Sequence, residues 1–362
     1  MVGMSTFLRY GVGYRVVLDI FTLTFHELSE QLGSVYGKGP FHAKVLMREI
    51  LKSGNVNWHN APEFRQSQKL TRQLTMDLEI PIPEVSRCVS ENSTIKFLCR
   101  FKDSLESESV IIPMQRHNTL CISSQIGCKM GCRFCETGNM GFKRHLSASE
   151  IVGQVFAARF ILKKEIRNLV FMGMGEPFDN FEQVRQAIEV LSDQRGFDFA
   201  HRRITVSTAG LIEGITRLGK LNWPRINLAL SLNAPNDEIR SYLMPVNKRY
   251  PMAELKKALI SYPLRKKGLF LIEYVLINGL NDSETHAREL AEFLAPLPVR
   301  LNLIPLNKTH GFPHDHTHDK DVHRFAAFLE DKGIYVIKRW SKGSSLSAGC
   351  GQLGSGASLN LP

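Results

Sequence analysis

Thr119-Leu120-Cys121-Ile122-Ser123-Ser124-Gln125-Ile126-Gly127-Cys128-Lys129-Met130-Gly131-Cys132-Arg133-Phe134-Cys135 is the stretch on which the reading of this chain turns. It opens as an apolar strand and closes in a C-x3-C-x2-C triplet, so three thiols follow directly on the strand. Thiolates are soft ligands suited to iron–sulfur clusters or to zinc. Three protein ligands on a four-iron cluster leave one iron open, and an open position marks a metal that reacts rather than one that braces a fold. Glycines at 127, 131, 138 and 141 let the backbone wrap a bulky group closely. Zinc is the alternative occupant, but a closed tetrahedral site needs a fourth ligand, which would have to be Cys121 or a distant histidine.

Outward from the triplet the pattern alternates. Apolar runs at 120–124, 169–174, 204–208, 226–232, 269–277 and 301–305 are separated by helical segments, the first opened by the capping box Ser147-Ala148-Ser149-Glu150. Uninterrupted apolar strands in βα units predict a parallel sheet covered on both faces, with right-handed crossovers. Six units fall short of the eight of a closed barrel, so the expected fold is α/β with an open, partial (β/α)6 barrel over 118–340. Its site should lie at the carboxyl ends of the strands. A last apolar run at 334–337 leads to a Gly/Ser-rich tail, 341–362, expected to be flexible and carrying Cys350.

Residues 1–90 read as a small N-terminal helical accessory domain. Thr24-Phe25-His26-Glu27 caps a helix expected to stop at Gly33, and a second helix follows Gly39-Pro40. Residues 91–117 read as a strand hairpin extension turning at Lys102-Asp103-Ser104.

Composition bounds the function. The chain has 362 residues, enough for two or three domains, and 46 Lys+Arg against 35 Asp+Glu give +11, which favours an anionic partner, nucleic acid before membrane. Seven cysteines are too sparse for a secreted disulfide framework. The apolar stretch 7–25 is interrupted by Arg9, Arg15 and Asp19, so neither a membrane span nor a secretory signal is expected, and the cytoplasm is the expected location. Cys88 and Cys99 read as small buried hydrophobes. Four histidines at 310, 314, 316 and 318 look metal-like in composition, but a solvated loop is the simpler reading. Basic groups at 201–203, 248–249, 265–267 and 338–339 could contact phosphates around the site.

The triplet, with Phe134 before its third cysteine, resembles the signature of the radical S-adenosylmethionine (SAM) superfamily. Met172-Gly173-Met174-Gly175-Glu176-Pro177 resembles its Gly-Glu-Pro segment. The segments Thr119–Cys128, Gly138–Phe142, Arg202–Thr208, Leu243–Lys248 and Ala348–Leu353 are similar to the RlmN/Cfr adenine methyltransferases, and the resemblance spans about residues 37 to 354. It implies a radical-SAM barrel with a [4Fe-4S] cluster on Cys128, Cys132 and Cys135. SAM contacts would come from Gly175, Glu176, Ser207, Ser231, Leu232, Asn233 and Asn307.

It also implies two SAM per turnover. One methylates the Cys350 thiolate by displacement; the other yields a 5′-deoxyadenosyl radical that takes hydrogen from that methyl group. The carbon radical then adds to carbon 2 or 8 of an adenine in 23S rRNA, with tRNA as a further candidate. Glu108 would accept the ring proton, a role that calls for a carboxyl tuned toward neutrality by burial. Cys121 would release product through a transient disulfide with Cys350. On the residues alone, Glu106 and Glu108 read as one solvated strand face.

The implied partners are ribosomal RNA and an electron donor such as flavodoxin, with the chain acting as a monomer. Two positions depart from the family pattern: Asn233 replaces a histidine and Glu136 an alanine. Two other readings stand beside this one: a radical SAM enzyme acting on a protein or small molecule, and a non-catalytic, metal-containing RNA-binding module.

Overall fold

The computed structural model describes residues 7–9, 14–223, 225–340 and 346–354. Residues 341–345 and 355–362 of the expected tail lie outside these, as do residues 10–13 of the segment weighed as a membrane span. Among the described residues no helix is long and apolar enough to cross a membrane.

Ten strands form one sheet in which every strand pairs with its neighbours in sequence. They are β1 (Glu84–Glu91), β2 (Thr94–Arg100), β3 (Glu106–Pro113), β4 (Asn118–Cys121), β5 (Ile166–Phe171), β6 (Ile204–Thr208), β7 (Asn227–Ser231), β8 (Phe270–Leu276), β9 (Val299–Pro305) and β10 (Tyr335–Lys338). The first four run antiparallel. From β4 to β10 the sheet is parallel. A parallel order that always steps one way has no reversal point, so this is a partial barrel rather than a doubly wound sheet, and its ligand cleft lies over the carboxyl edge.

Helices cover the outer face. Ala148–Phe156 begins at the Ser147/Glu150 capping box and is buried along its length. Every residue of β6 is buried, as expected for a strand with helices on one side and a filled interior on the other.

Three expectations are corrected. The first helix runs Phe25–Tyr36, past Gly33, because Gly37 takes the left-handed conformation and its N–H closes the last turn on Gly33. The hairpin is part of a three-stranded meander, so a boundary at residue 90 cuts through β1, which pairs with β2 along its length apart from an irregularity at Ser86. Residues 346–354 are packed down: Leu346, Ala348 and Leu353 are buried and join the core. Thr137 Oγ1 donates to Leu353 O at 2.5 Å and Glu136 N to Gly351 O at 2.7 Å.

The helical N-terminal unit shares the barrel's core instead of standing apart from it. The rings of Phe21 and Phe156 lie 5.2 Å apart, and Phe25 N donates to Asp193 Oδ2 at 2.8 Å. Cys99 is buried, but Cys88 is exposed because β1 is the sheet's edge strand.

Candidate active site

The three triplet cysteines open on one cavity over the carboxyl ends of the parallel strands. Its wall continues through Gly175 and Glu176 after β5, Ser207 of β6, Ser231 and Asn233 at β7, Glu273 of β8 and Cys350 of the tail. Glycine makes the loop possible at two points. Gly127 has φ +74°, and a Cβ there would fall 1.8 Å from Gly141 O; Gly175 has φ +96°, with a Cβ 2.4 Å from Gln125 Cβ.

Burial pushes the Cys128 thiol up to about 12 and also raises Cys132 and Cys135, with neighbouring thiols and carboxylates adding to the effect. Binding a metal group as thiolates must therefore displace protons. No three Cys, His, Asp or Glu side chains among the described residues converge as ligands of a single ion. Among the described residues no histidine lines the cavity. Thiols spread around a cavity suit a polynuclear iron–sulfur cluster better than tetrahedral zinc.

Glu176 is, with Glu273, one of two buried carboxyls on the cavity wall among the described residues. Its oxygens accept from Ala209 N at 2.7 Å and Phe178 N at 3.1 Å, yet burial pushes its pKa up to about 7. It forms no ion pair among the described residues, so an incoming ammonium group would meet an uncompensated partner. Ser207 Oγ and Ser231 Oγ lie 3.5 Å apart on the same wall.

Asn233 stands at φ +59°, a left-handed position that asparagine tolerates, and its Oδ1 accepts from Val275 N at 3.0 Å. Leu232 faces the core rather than the cavity, so only its backbone serves the loop. Its carbonyl accepts from Arg240 Nε at 3.2 Å.

Arg240 was not anticipated. It is fully buried, donates to Ala209 O at 2.6 Å and Asn247 Oδ1 at 2.8 Å, and burial lowers its guanidinium to about 10. It ties the ends of β6 and β7 together. Glu273 was missed as well, although a lone carboxylate inside the apolar run 269–277 was the available signal. It accepts from Asn302 Nδ2 at 2.6 Å and lies 3.9 Å from Arg339 Nη1.

Cys350 reaches the surface at the cavity wall. The packing around its sulfur and the Glu273 carboxylate raise its thiol, while Arg339 opposes the rise. Asn307 does not line the cavity; its Nδ2 donates to Cys350 O at 2.9 Å and so holds the tail. Cys121, at the end of β4, is buried, and burial together with the Cys350 thiol pushes it up to about 12.

Glu108 is also off the cavity. It is buried and not solvated, and it pairs with Lys96 Nζ at 2.8 Å, so a counter-charge answers the burial. Glu106 pairs with Arg100 at the sheet's outer end. The Glu136 carboxylate turns to the 310 loop, where Oε1 accepts from His310 N at 2.5 Å and lies 3.0 Å from His310 Nδ1.

The other histidines do not converge. His314 meets Tyr242 OH at 3.4 Å, and the rings of His316 and His318 lie 5.9 Å apart. Of the basic groups, 201–203 and 265–267 precede β6 and β8 and so stand at the end of the barrel opposite the cavity. Residues 248–249 and 338–339 follow β7 and close β10, at the cavity end.

Residues 122–291 match the radical SAM superfamily. The chain is 43% identical over 337 residues to the probable dual-specificity RNA methyltransferase RlmN 1 of Protochlamydia amoebophila, covering 93% of this chain and 94% of that protein. It is 39% identical over 341 residues to the dual-specificity RNA methyltransferase RlmN of Geotalea uraniireducens, covering 93% and 96%. A crystal structure of a radical SAM methyltransferase from Sphaerobacter thermophilus superposes with a TM-score of 0.86 at 38% identity, covering 93% of this chain and 99% of that one.

Proposed function

Because the chain belongs to the RlmN family of radical SAM RNA methyltransferases, we propose that it methylates a ring carbon, 2 or 8, of an adenine in 23S rRNA by way of Cys350. One observation carries the reading. Cys350 and the Cys128, Cys132, Cys135 triplet are far apart in sequence, yet both open on the same cavity. The superfamily's cofactors, SAM and a [4Fe-4S] cluster, are chemically matched to that wall. Bound there, they supply the one-electron cleavage that makes an unactivated carbon–hydrogen bond reactive.

The chain's own residues bind, orient and handle protons. The triplet thiolates would hold the cluster, Glu176 and the Ser207–Ser231 wall would hold SAM, and Asn233 and Arg240 would keep the β6 and β7 loops in place. Cys350 accepts a methyl group from a first SAM as a thiolate, a form that burial and Glu273 oppose and the Arg339 charge favours. A second SAM serves the radical stage, so two are consumed per product. Glu108 takes the ring proton, and Cys121 attacks the Cys350 sulfur. The sulfur–methylene bond breaks, the methylene carbon keeps the electron pair and takes up a proton to become the product methyl group, and a Cys121–Cys350 disulfide remains. The high thiol pKa of Cys121 in the resting arrangement means that it must lose its proton before it attacks.

The chain would act as a monomer. Reduced flavodoxin or a comparable carrier supplies the electron, and the cytoplasm is where ribosomal RNA would be met. The open wall beside the triplet argues against a merely structural metal.

Mass spectrometry of ribosomal and transfer RNA from cells with and without this chain tests the reading. Methyladenosine at carbon 2 or carbon 8 should disappear from rRNA when the chain is removed. Unchanged methyladenosine in both RNA classes contradicts it, and a loss confined to tRNA overturns the ribosomal target.

A further inference from the structure

Cys350 sits in a short loop whose two ends meet one buried ion pair. Lys96 on β2 and Glu108 on β3 are diagonal neighbours across the antiparallel pairing, in which Lys96 stands opposite Val110 and Glu108 opposite Leu98. Their side chains are 1% and 5% exposed, with Nζ and Oε2 2.8 Å apart. Lys96 Nζ also donates to Ser347 O at 3.0 Å, and Glu108 Oε2 accepts from Gly354 N at 3.0 Å. The loop from Ser347 to Gly354, with Cys350 at its middle, is thus gripped at both ends by a single pair.

A buried ion pair is a poor way to gain stability, because desolvating two charges offsets most of their attraction. This one becomes intelligible through what its remaining hydrogen bonds reach. A lysine ammonium has three donors, and one is spent on Glu108 and one on the Ser347 carbonyl. Removing the ammonium frees the Ser347 end outright and leaves the Gly354 end on a carboxylate stranded without its counter-charge.

We propose that Lys96 is a positioning residue for Cys350: its ion pair with Glu108 is the clasp that sets the Ser347–Gly354 loop over the cavity. The part of this inference that concerns turnover rests on the function proposed above. The carboxylate named there as proton acceptor is also the anchor of the loop carrying the methyl group. Lys96 therefore holds the acceptor and the methyl carrier in one arrangement.

Hydrogen–deuterium exchange on the full chain tests the clasp without reference to activity. In Lys96→Met, exchange across 346–354 should quicken by about tenfold or more, while β6 stays protected; Lys96→Arg, which keeps the charge, should remain within about threefold of the parent. Glu108→Gln keeps an acceptor for Gly354 N but loses the ion pair, and it should quicken the same segment. That variant decides the matter if Lys96→Met fails to fold. Parental exchange across 346–354 in a folded Lys96→Met, or in Glu108→Gln, overturns the clasp.

In RNA methylation assays, Lys96→Met should lower kcat by about tenfold with KM for RNA within about twofold, and Lys96→Arg should restore most of it. A loosened loop with undiminished kcat overturns the positioning role and leaves the proposed function standing. An inactive parent protein overturns the function and leaves the clasp to be judged by exchange.

Discussion

Cys350→Ala is expected to abolish methylation of RNA, by about a thousandfold or more, while reductive consumption of SAM continues. The two halves of the result separate because the two sets of residues are separate. The triplet, Glu176 and the Ser207–Ser231 wall are borne by β4 to β7 and the loops that follow them, and none of them hydrogen-bonds the Cys350 side chain. The Cys350 loop is held through its main chain, by Asn307 Nδ2 on Cys350 O and Glu136 N on Gly351 O, so truncating the side chain leaves these contacts in place. Parallel measurement of SAM consumption and of methyl groups in RNA checks this. Equal loss of both would mean that Cys350 builds the cavity and is not the methyl carrier; retention of RNA methylation would remove it from the reaction.

Gly127→Ala is expected to be almost as damaging for a different reason. At φ +74° an alanine is strained by about 1–3 kcal/mol before any contact is considered. Its Cβ would also fall 1.8 Å from Gly141 O, a backbone atom that no rotamer change can clear. The segment 138–142 must then move, and Gly138 lies against Cys132, where a Cβ would meet Cys132 O at 3.0 Å. The displacement is therefore passed to a triplet cysteine. Iron bound after anaerobic reconstitution should fall to about a tenth of the parent level or less, in a chain that still folds but is destabilised by about 3 kcal/mol. Parental iron content would show that the approach of Gly127 to Gly141 does not shape the cysteine loop.

Much of this was legible in the residues. The period of the apolar runs exposed the parallel strands, because a strand buried on both faces has no polar alternation to hide it. The triplet was legible because its chemistry is local: three thiols within eight positions have few uses. The meander was only partly legible. β1, the edge strand from Glu84 to Glu91, reads Glu-Val-Ser-Arg-Cys-Val-Ser-Glu, and half-exposed polar positions carry little strand signal.

The order of the tail is not visible in its own residues. Glycine and serine suggested flexibility, whereas its order comes from partners distant in sequence: Lys96, Glu108, Thr137 and Asn307. Glu108 looked like half of a solvated acidic pair because its counter-ion sits on another strand. Arg240 left no trace in the pattern, since a buried arginine whose fork is spent on backbone carbonyls looks like any helix-surface arginine until the loops close on it.

If the methyl group reaches RNA through Cys350, a label placed on that sulfur must pass to the base. Anaerobically reconstituted protein is first incubated with methyl-labelled SAM, and the peptide containing Cys350 is checked for one added methyl group. The protein is then freed of small molecules and given RNA, reductant and unlabelled SAM for a single turnover. The first methyl group on adenine should carry the label that had been on Cys350. An unlabelled first product, with the label still on Cys350, would contradict it.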